Sequence, residues 1–247
     1  MKILVCISSV PDTTSKINFT ADKTAFDKNG IQWVINPLDE FALTKAIKLQ
    51  ANGATVTVLN VGEASTEAVI RKALAIGAND AIRINTEPKD SFSVAKEIAN
   101  VAKDGNYDLI LCGKESIDYN GGSVPGMVAQ LLDQPFVNAC VGLEINGTEA
   151  TAVREIEGGK ETISVKLPAV IAGQKGMVDE KDLIIPNMRG IMSARTKPLK
   201  VVEPTSTEVR VEAVSYDSVP ARAAVKMISP DNLDELVRLL HEEAKVI

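Results

Sequence analysis

The stretch Gly113-Lys-Glu-Ser-Ile-Asp-Tyr-Asn-Gly-Gly-Ser-Val-Pro-Gly-Met127 has the composition of a backbone cradle for a phosphate. Gly121, Gly122 and Gly126 permit close backbone approach and positive φ, and Ser123 offers a hydroxyl. A helix starting near Val124 would aim unpaired N–H groups and the positive end of its dipole at an anion. The run is neither GxGxxG nor a P-loop, so a plain glycine-rich turn accounts for it equally well. Asn36-Pro37-Leu38-Asp39 precedes a second helical pattern, where Asn36 or Asp39 serves either as a capping residue or as a group facing a ligand.

Other chemistries have little material. The single histidine, His241, stands among Arg238, Glu242 and Glu243 near the C-terminus, which leaves Ser/His/Asp triads and multi-histidine metal sites without their residues. Cys6, Cys112 and Cys140 are far apart, odd in number and lack a CxxC pair. They read as buried thiols in a reducing compartment, not as a disulfide framework or zinc site. With 27 basic and 33 acidic residues, the net charge of −6 disfavours sequence-independent binding to nucleic acid or anionic membrane. No apolar run approaches the roughly 18 residues of a membrane span. Pro11 and Asp12 interrupt the N-terminal apolar run too early for a signal peptide, so the expected location is the cytoplasm.

The elements that must position these residues follow from periodicity. Residues 2 to 8 read as a strand covered on both faces, residues 55 to 62 as a second strand, and residues 81 to 84 and 107 to 113 as two more. Between them lie helical patterns: one after Asn36 with Leu38, Ala42, Ala46 and Leu49 on a face, one over 65 to 78 capped by Ser65, and one over 91 to 105. A fourth helix covers 124 to 133, with Pro125 in its first turn. Alternation at this spacing predicts βαβ units and an α/β fold built on a doubly wound, mostly parallel sheet. The carboxyl edge of that sheet would gather the end of the first strand, Asn36 to Asp39 and the glycine loop around one crevice.

After residue 134 the pattern changes to consecutive strands broken at Asn146-Gly147 and Gly158-Gly159, an antiparallel hairpin extension. Residues 168 to 173 form another apolar strand. Residues 174 to 210 lose periodicity and read as an extended arm. Within it, Lys181, Arg189, Arg195, Lys197 and Lys200 stand against Asp182 beside Met188, Ile191 and Met192, which suits either a docking surface or a solvated loop. A last helix begins with Ser229 as cap and Pro230 in its first position. The expected division is a nucleotide-binding domain with its hairpin extension over 1–180, then an arm and C-terminal helix over 181–247.

From Ala152 the chain runs AVREIEGGKETISVKLPAVIA, which resembles the signature of the electron transfer flavoprotein β subunit at Arg154, Glu157, Gly158, Gly159, Glu161, Ile163, Pro168, Val170, Ile171 and Ala172. Agreement extends to VPD at Val10, NPLDE at Asn36, RKALAIGA at Arg71, GKESID at Gly113 and RGIMSARTKPL at Arg189, so the resemblance spans essentially the whole chain. It implies an adenine nucleotide alpha hydrolase-like fold and a heterodimer whose α subunit holds most of a redox-active FAD, with this chain shielding one side of the flavin. It further implies an electron carrier without substrate chemistry of its own. Electrons would come from acyl-CoA or other flavin dehydrogenases and pass through a quinone oxidoreductase towards the quinone pool.

Family members bind AMP in the β-subunit crevice, and a bifurcating subgroup binds a second FAD there. Carried over by position, the nucleotide contacts are Cys6, Asn36, Pro37, Leu38, Asp39 and Val61, with Asp118, Asn120, Gly121, Gly122, Ser123, Val124, Gly126, Met127 and Ala129 from the glycine loop. The family's recognition loop maps to the basic arm, with Met188 as apolar anchor and Arg189, Ile191 and Arg195 around it. Two departures stand out. Ser8 and Ser9 occupy positions where many members carry Lys and a second polar residue, and Ser123-Val124-Pro125 replaces Gln-Thr-Gly or Gln-Val-Gly, which leaves AMP and FAD both open. A nucleotide-sensing protein without flavin, or a nucleotide hydrolase or ligase, are the readings from other classes.

Overall fold

The computed structural model describes every residue except Thr207 and Ala223. It comprises two compact units, Met1–Ile17 with Asp27–Val214, and Asn18–Phe26 with Ser215–Ile247.

The first unit is built on a nine-stranded sheet in the order β11-β5-β4-β1-β6-β10-β7-β8-β9. The predicted strands are present as β1 (Lys2–Cys6), β4 (Thr55–Val61), β5 (Asp80–Ile84) and β6 (Leu109–Gly113), all mutually parallel where they pair. A two-stranded antiparallel ribbon, β2 (Ser9–Pro11) with β3 (Trp33–Ile35), carries the chain from β1 to the first helix. Helices α1 (Pro37–Leu49) and α2 (Glu67–Ile76) cover one face of the sheet, where Ile3, Val5, Val56, Val58, Leu109 and Leu111 meet Ala42, Leu43, Ile70 and Leu74. On the other face α3 (Ser91–Gly105) and α4 (Val124–Leu132) pack Ala95, Ile98, Val128 and Ala129 onto Leu4, Cys6, Leu59 and Ile110. Both faces of β1 and β6 are therefore buried, which is why these strands read as unbroken apolar runs.

From β1 the chain winds outward through β4 to β5, then returns through α3 to β6 on the other side of β1. The switch in winding direction falls between β1 and β6, the position at which open α/β sheets bind ligands. The hairpins appear as β7 (Phe136–Asn146), β8 (Glu149–Ile156) and β9 (Gly159–Lys166), with Gly147 and Gly158 at φ of 64° and 82° in their turns. Strand β10 (Ala169–Gly173) inserts between β6 and β7, parallel to both.

Three local expectations need correction. The stretch read as an arm without helix or strand contains α5 (Met188–Ala194) and the edge strand β11 (Leu199–Val202), which pairs parallel with β5. The signals were a cap and a short alternation: Asn187 Oδ1 accepts from Gly190 N at 2.8 Å, and Leu-Lys-Val-Val follows Pro198. Ser65 does not cap α2, because a 3-10 turn over Ala64–Thr66 precedes it. In the second unit, α6 (Leu233–Arg238) starts later than expected, capped by Asn232, whose Oδ1 accepts from Glu235 N, and not by Ser229. Arg238 there is held well above the ordinary guanidinium range by hydrogen bonds to Glu235 and Glu242.

Candidate functional site

At the switch point three polar side chains are almost completely buried: Asn36 at 1% exposure, Asp39 at 4% and Asn60 at 1%. Each is satisfied by a distant part of the chain. Asn36 stands in the N-cap position of α1 yet makes no side-chain cap bond. Its Nδ2 donates to Glu115 O at 2.8 Å and its Oδ1 accepts from Ile117 N at 3.3 Å, so it fastens the loop that follows β6. Asn36 N donates to Ser8 O at 3.0 Å, tying the same residue to the end of β1. The capping explanation therefore fails for Asn36.

Asp39 belongs to α1, but its carboxylate bridges the two strands that flank the switch point. Oδ2 accepts from Ser8 N at 2.7 Å, and Oδ1 from Gly113 N at 2.8 Å. The approach is so close that a Cβ on Gly113 would lie 2.3 Å from Asp39 Oδ1 and 2.9 Å from Asp39 N. Burial pushes the Asp39 carboxyl up to about 7, aided by the nearby Asp118 charge, although both backbone hydrogen bonds favour the ionised form.

Asn60 was missed by sequence reasoning, although a lone polar residue in the apolar run of β4 was its signal. Its Nδ2 donates to Ile7 O at 2.9 Å, while its Oδ1 accepts from Thr66 Oγ1 at 2.8 Å. Next to it, Arg83 Nη1 donates to Gly62 O at 2.9 Å and to Asn85 Oδ1 at 2.8 Å, fixing the turn after β4. Together Asn36, Asp39 and Asn60 join the carboxyl ends of β1, β4 and β6.

The glycine loop closes on itself through paired backbone bonds between Ser116 and Gly121. Positive φ within it falls at Asn120, at 52°, and not at Gly121, Gly122 or Gly126 as expected. The glycines matter through space instead. A Cβ on Gly122 would meet only Lys114 O at 3.4 Å and Glu115 Cβ at 3.8 Å, ordinary contact distances within the chain. Helix α4 begins next, with Ser123 in the cap position, exposed and making no side-chain cap bond. Its hydroxyl and the unpaired first N–H groups of α4 remain available for an anion, while Pro125 contributes none.

Several candidate residues come together in one apolar cluster: Cys6, Val61 and Ala129 are buried in it with Cys112 and Val128, and Val124 and Met127 pack against it. The Cys112 thiol is held well above its ordinary range by the adjacent Cys6 thiol and by burial. Leu38 is half-buried, and Asp118 and Asn120 are exposed on the loop. The assembled edge offers the partly buried Val124 and Met127 side chains, a free hydroxyl and helix-start N–H groups, a set suited to holding a nucleotide. Among the described residues, no group of three or more His, Cys, Asp or Glu could hold a metal ion, and no helix is long and apolar enough to cross a membrane.

The basic stretch is a separate feature. On α5, Met188 is 73% exposed and Met192 66%, with Ile185 before the helix at 84%. Arg189 and Arg195 are exposed, and Ile191 lies beside Arg195 in a cleft of about 530 Å³ between α5 and α2. Arg71 anchors the segment from below, donating to Ala194 O and Lys197 O at 2.9 Å each.

The electron transfer flavoprotein domain model matches residues 23–207. The electron transfer flavoprotein subunit beta of Bacillus subtilis is 35% identical over 262 aligned positions, covering the whole of both chains. That of Syntrophomonas wolfei is 36% identical over 227 positions, covering 91% of this chain and 88% of its own. The human subunit beta is 29% identical over 257 positions, covering 100% and 99% respectively. A domain match over most of the chain, on a doubly wound sheet with a polar-stitched switch point, leads to one conclusion: the chain belongs to the electron transfer flavoprotein β-subunit family.

Proposed function

We propose that this chain is the β half of a heterodimeric electron carrier, that it binds AMP in its own crevice, and that it helps to enclose an FAD held mainly by an α subunit. The observation that carries the AMP reading is the switch-point assembly, where Asn36, Asp39 and Asn60 are all spent on partners within the chain while Ser123 and the α4 start are left free. Such a site is organised before the ligand arrives, which lowers the ordering cost of binding. AMP would place its base at the rim of the apolar cluster that holds Cys6, Val61 and Ala129, beside the partly buried Val124 and Met127, and its phosphate at Gly122, Ser123 and the α4 start.

The FAD, when bound, accepts electrons from a donor and releases them to an acceptor. This chain's part is to shield the flavin and to present α5. There Met188 serves as apolar anchor for acyl-CoA or other flavin dehydrogenases, with Arg189, Ile191 and Arg195 around it, and a quinone oxidoreductase is the expected acceptor. No substrate chemistry is assigned to this chain, and its proposed location is the cytoplasm.

Nucleotide identification after denaturing the purified heterodimer tests the reading. One AMP and one FAD per heterodimer are expected; two FAD and no AMP would establish the bifurcating type instead. Gly122→Val is the companion variant, because a Cβ there makes only ordinary contacts within the chain and would stand where the bound phosphate approaches the backbone. It should leave the protein folded and free of AMP, and unchanged AMP content would refute the site.

A further inference from the structure

The carboxyl ends of the strands flanking a switch point face the ligand region of an open α/β sheet, and backbone N–H groups there can donate to an anion. Here two such donors are occupied by a side chain of the protein. Ser8 N and Gly113 N give their hydrogen bonds to the two oxygens of one carboxylate, Asp39, which is 4% exposed. The contact with Gly113 has no room for even a methyl group. We propose that Asp39 is a positioning residue and not a ligand contact: by filling both donors with its carboxyl oxygens it holds β1 and β6 together and leaves the start of α4 as the place for the ligand's own anionic group.

A consequence follows from charge. A ligand phosphate entering the same crevice is repelled by an ionised Asp39, so binding favours the protonated carboxyl and draws in a proton. The groups that could contribute instead are few. Asp118, Lys114 and Glu115 lie on the loop after β6, Cys112 on β6 and Cys6 on β1, while Glu40 of α1 is paired with Lys72 at 2.7 Å. Helix α4 and strand β10 carry no ionisable residue. Of these, Asp118 is the charge that acts on Asp39, and it pushes in the same direction.

The inference rests on the nucleotide reading, and the experiment separates the two. AMP affinity of the heterodimer freed of nucleotide is measured from pH 6 to 8.5 for the wild type, Asp39→Asn and Asp118→Asn. Wild-type affinity should fall several-fold across the range as Asp39 ionises; in Asp39→Asn this dependence should flatten, and in Asp118→Asn it should persist. The second ionisation of the phosphate, near pH 6, enters all three proteins alike.

Should Asp39→Asn fail to fold, calorimetry of the wild type in two buffers of different protonation enthalpy gives an independent measure. Asp39 predicts net proton uptake at pH 7, whereas a phosphate held by N–H donors alone would release protons. Equal pH slopes in the wild type and Asp39→Asn, or net proton release, would overturn the role of Asp39 while leaving the nucleotide site standing. Absence of AMP binding by the wild type at every pH would overturn both.

Discussion

The switch-point edge, where the proposed crevice lies, and the α5 segment solve opposite problems. In the crevice the polar side chains are buried and each hydrogen-bonded to backbone more than 30 residues away, so the geometry is fixed by tertiary structure. On α5 the apolar side chains Met188 and Met192 are exposed, and the segment is fastened from beneath by Arg71. A resident ligand needs the first arrangement, since buried, fully satisfied polar groups define a single conformation. A transient partner suits the second, because exposed adaptable side chains can be covered and uncovered repeatedly. Substitutions in the crevice should therefore affect stability and ligand together, and substitutions on α5 should affect association alone.

The contrast can be broken most forcefully at Gly113, where a Cβ would meet Asp39 Oδ1 at 2.3 Å and Leu38 C at 2.9 Å. Gly113→Val should destabilise the protein by about 3 kcal/mol or more, the upper range for overpacking, measured by chemical denaturation. Wild-type stability in this variant would mean that the crevice is not rigid.

Asn36→Ala comes next. Removing its side chain leaves Glu115 O and Ile117 N without their partner, which should cost about 2 kcal/mol and release the nucleotide. Loss of nucleotide with unchanged denaturation would show that Asn36 touches ligand more than it organises the loop.

Met188→Ala tests the other region. Reduction of the flavin by a physiological dehydrogenase, followed at limiting partner concentration, should weaken by about 1 to 2 kcal/mol of binding, as for a buried anchor. Nucleotide content and denaturation midpoint should not move. Wild-type rates would reduce α5 to a solvated surface helix.

The dependence of stability on pH sharpens the comparison from the crevice side. Asp39 has a carboxyl raised to about 7 from an ordinary value of 3.8, so the folded state holds its proton where the unfolded chain has already lost it. This contribution to stability is complete below about pH 4 and is lost as pH rises through 7. Denaturation midpoints of Asp39→Asn should lack that particular decline between pH 4 and 7. A decline identical to the wild type's would assign it to other groups.

The smallest effect is expected from Arg195→Gln, which should lower the association rate with an acidic partner and flatten its salt dependence while leaving dissociation unchanged. Stopped-flow reduction at two ionic strengths reads both quantities. An unaltered salt dependence would place the steering charge elsewhere.

How much was legible in the sequence depended on the range of the interactions involved. The hairpin turns, the alternation of β1 to α4 and the buried character of β1 and β6 were readable because each is set by residues within a few positions. Helix α5 escaped because seven residues are too few to show periodicity, and its stability comes from packing on α2 and from the Asn187 cap. Strand β11 escaped because four edge residues carry little alternation until β5 is beside them.

Asn36 shows the limit most plainly. Its type and place before a helix pointed to a cap, but the partners that decide its role lie 79 and 81 residues further on. Local spacing by itself determined the α/β class and the chain segments that border the crevice, since periodicity and turn chemistry act over one or two turns of chain. Tertiary structure alone decided that β10 lies between β6 and β7, and that Asp39 spans Ser8 and Gly113. Strand order and such bridges depend on pairings between residues far apart in the chain, whose closeness no local pattern encodes.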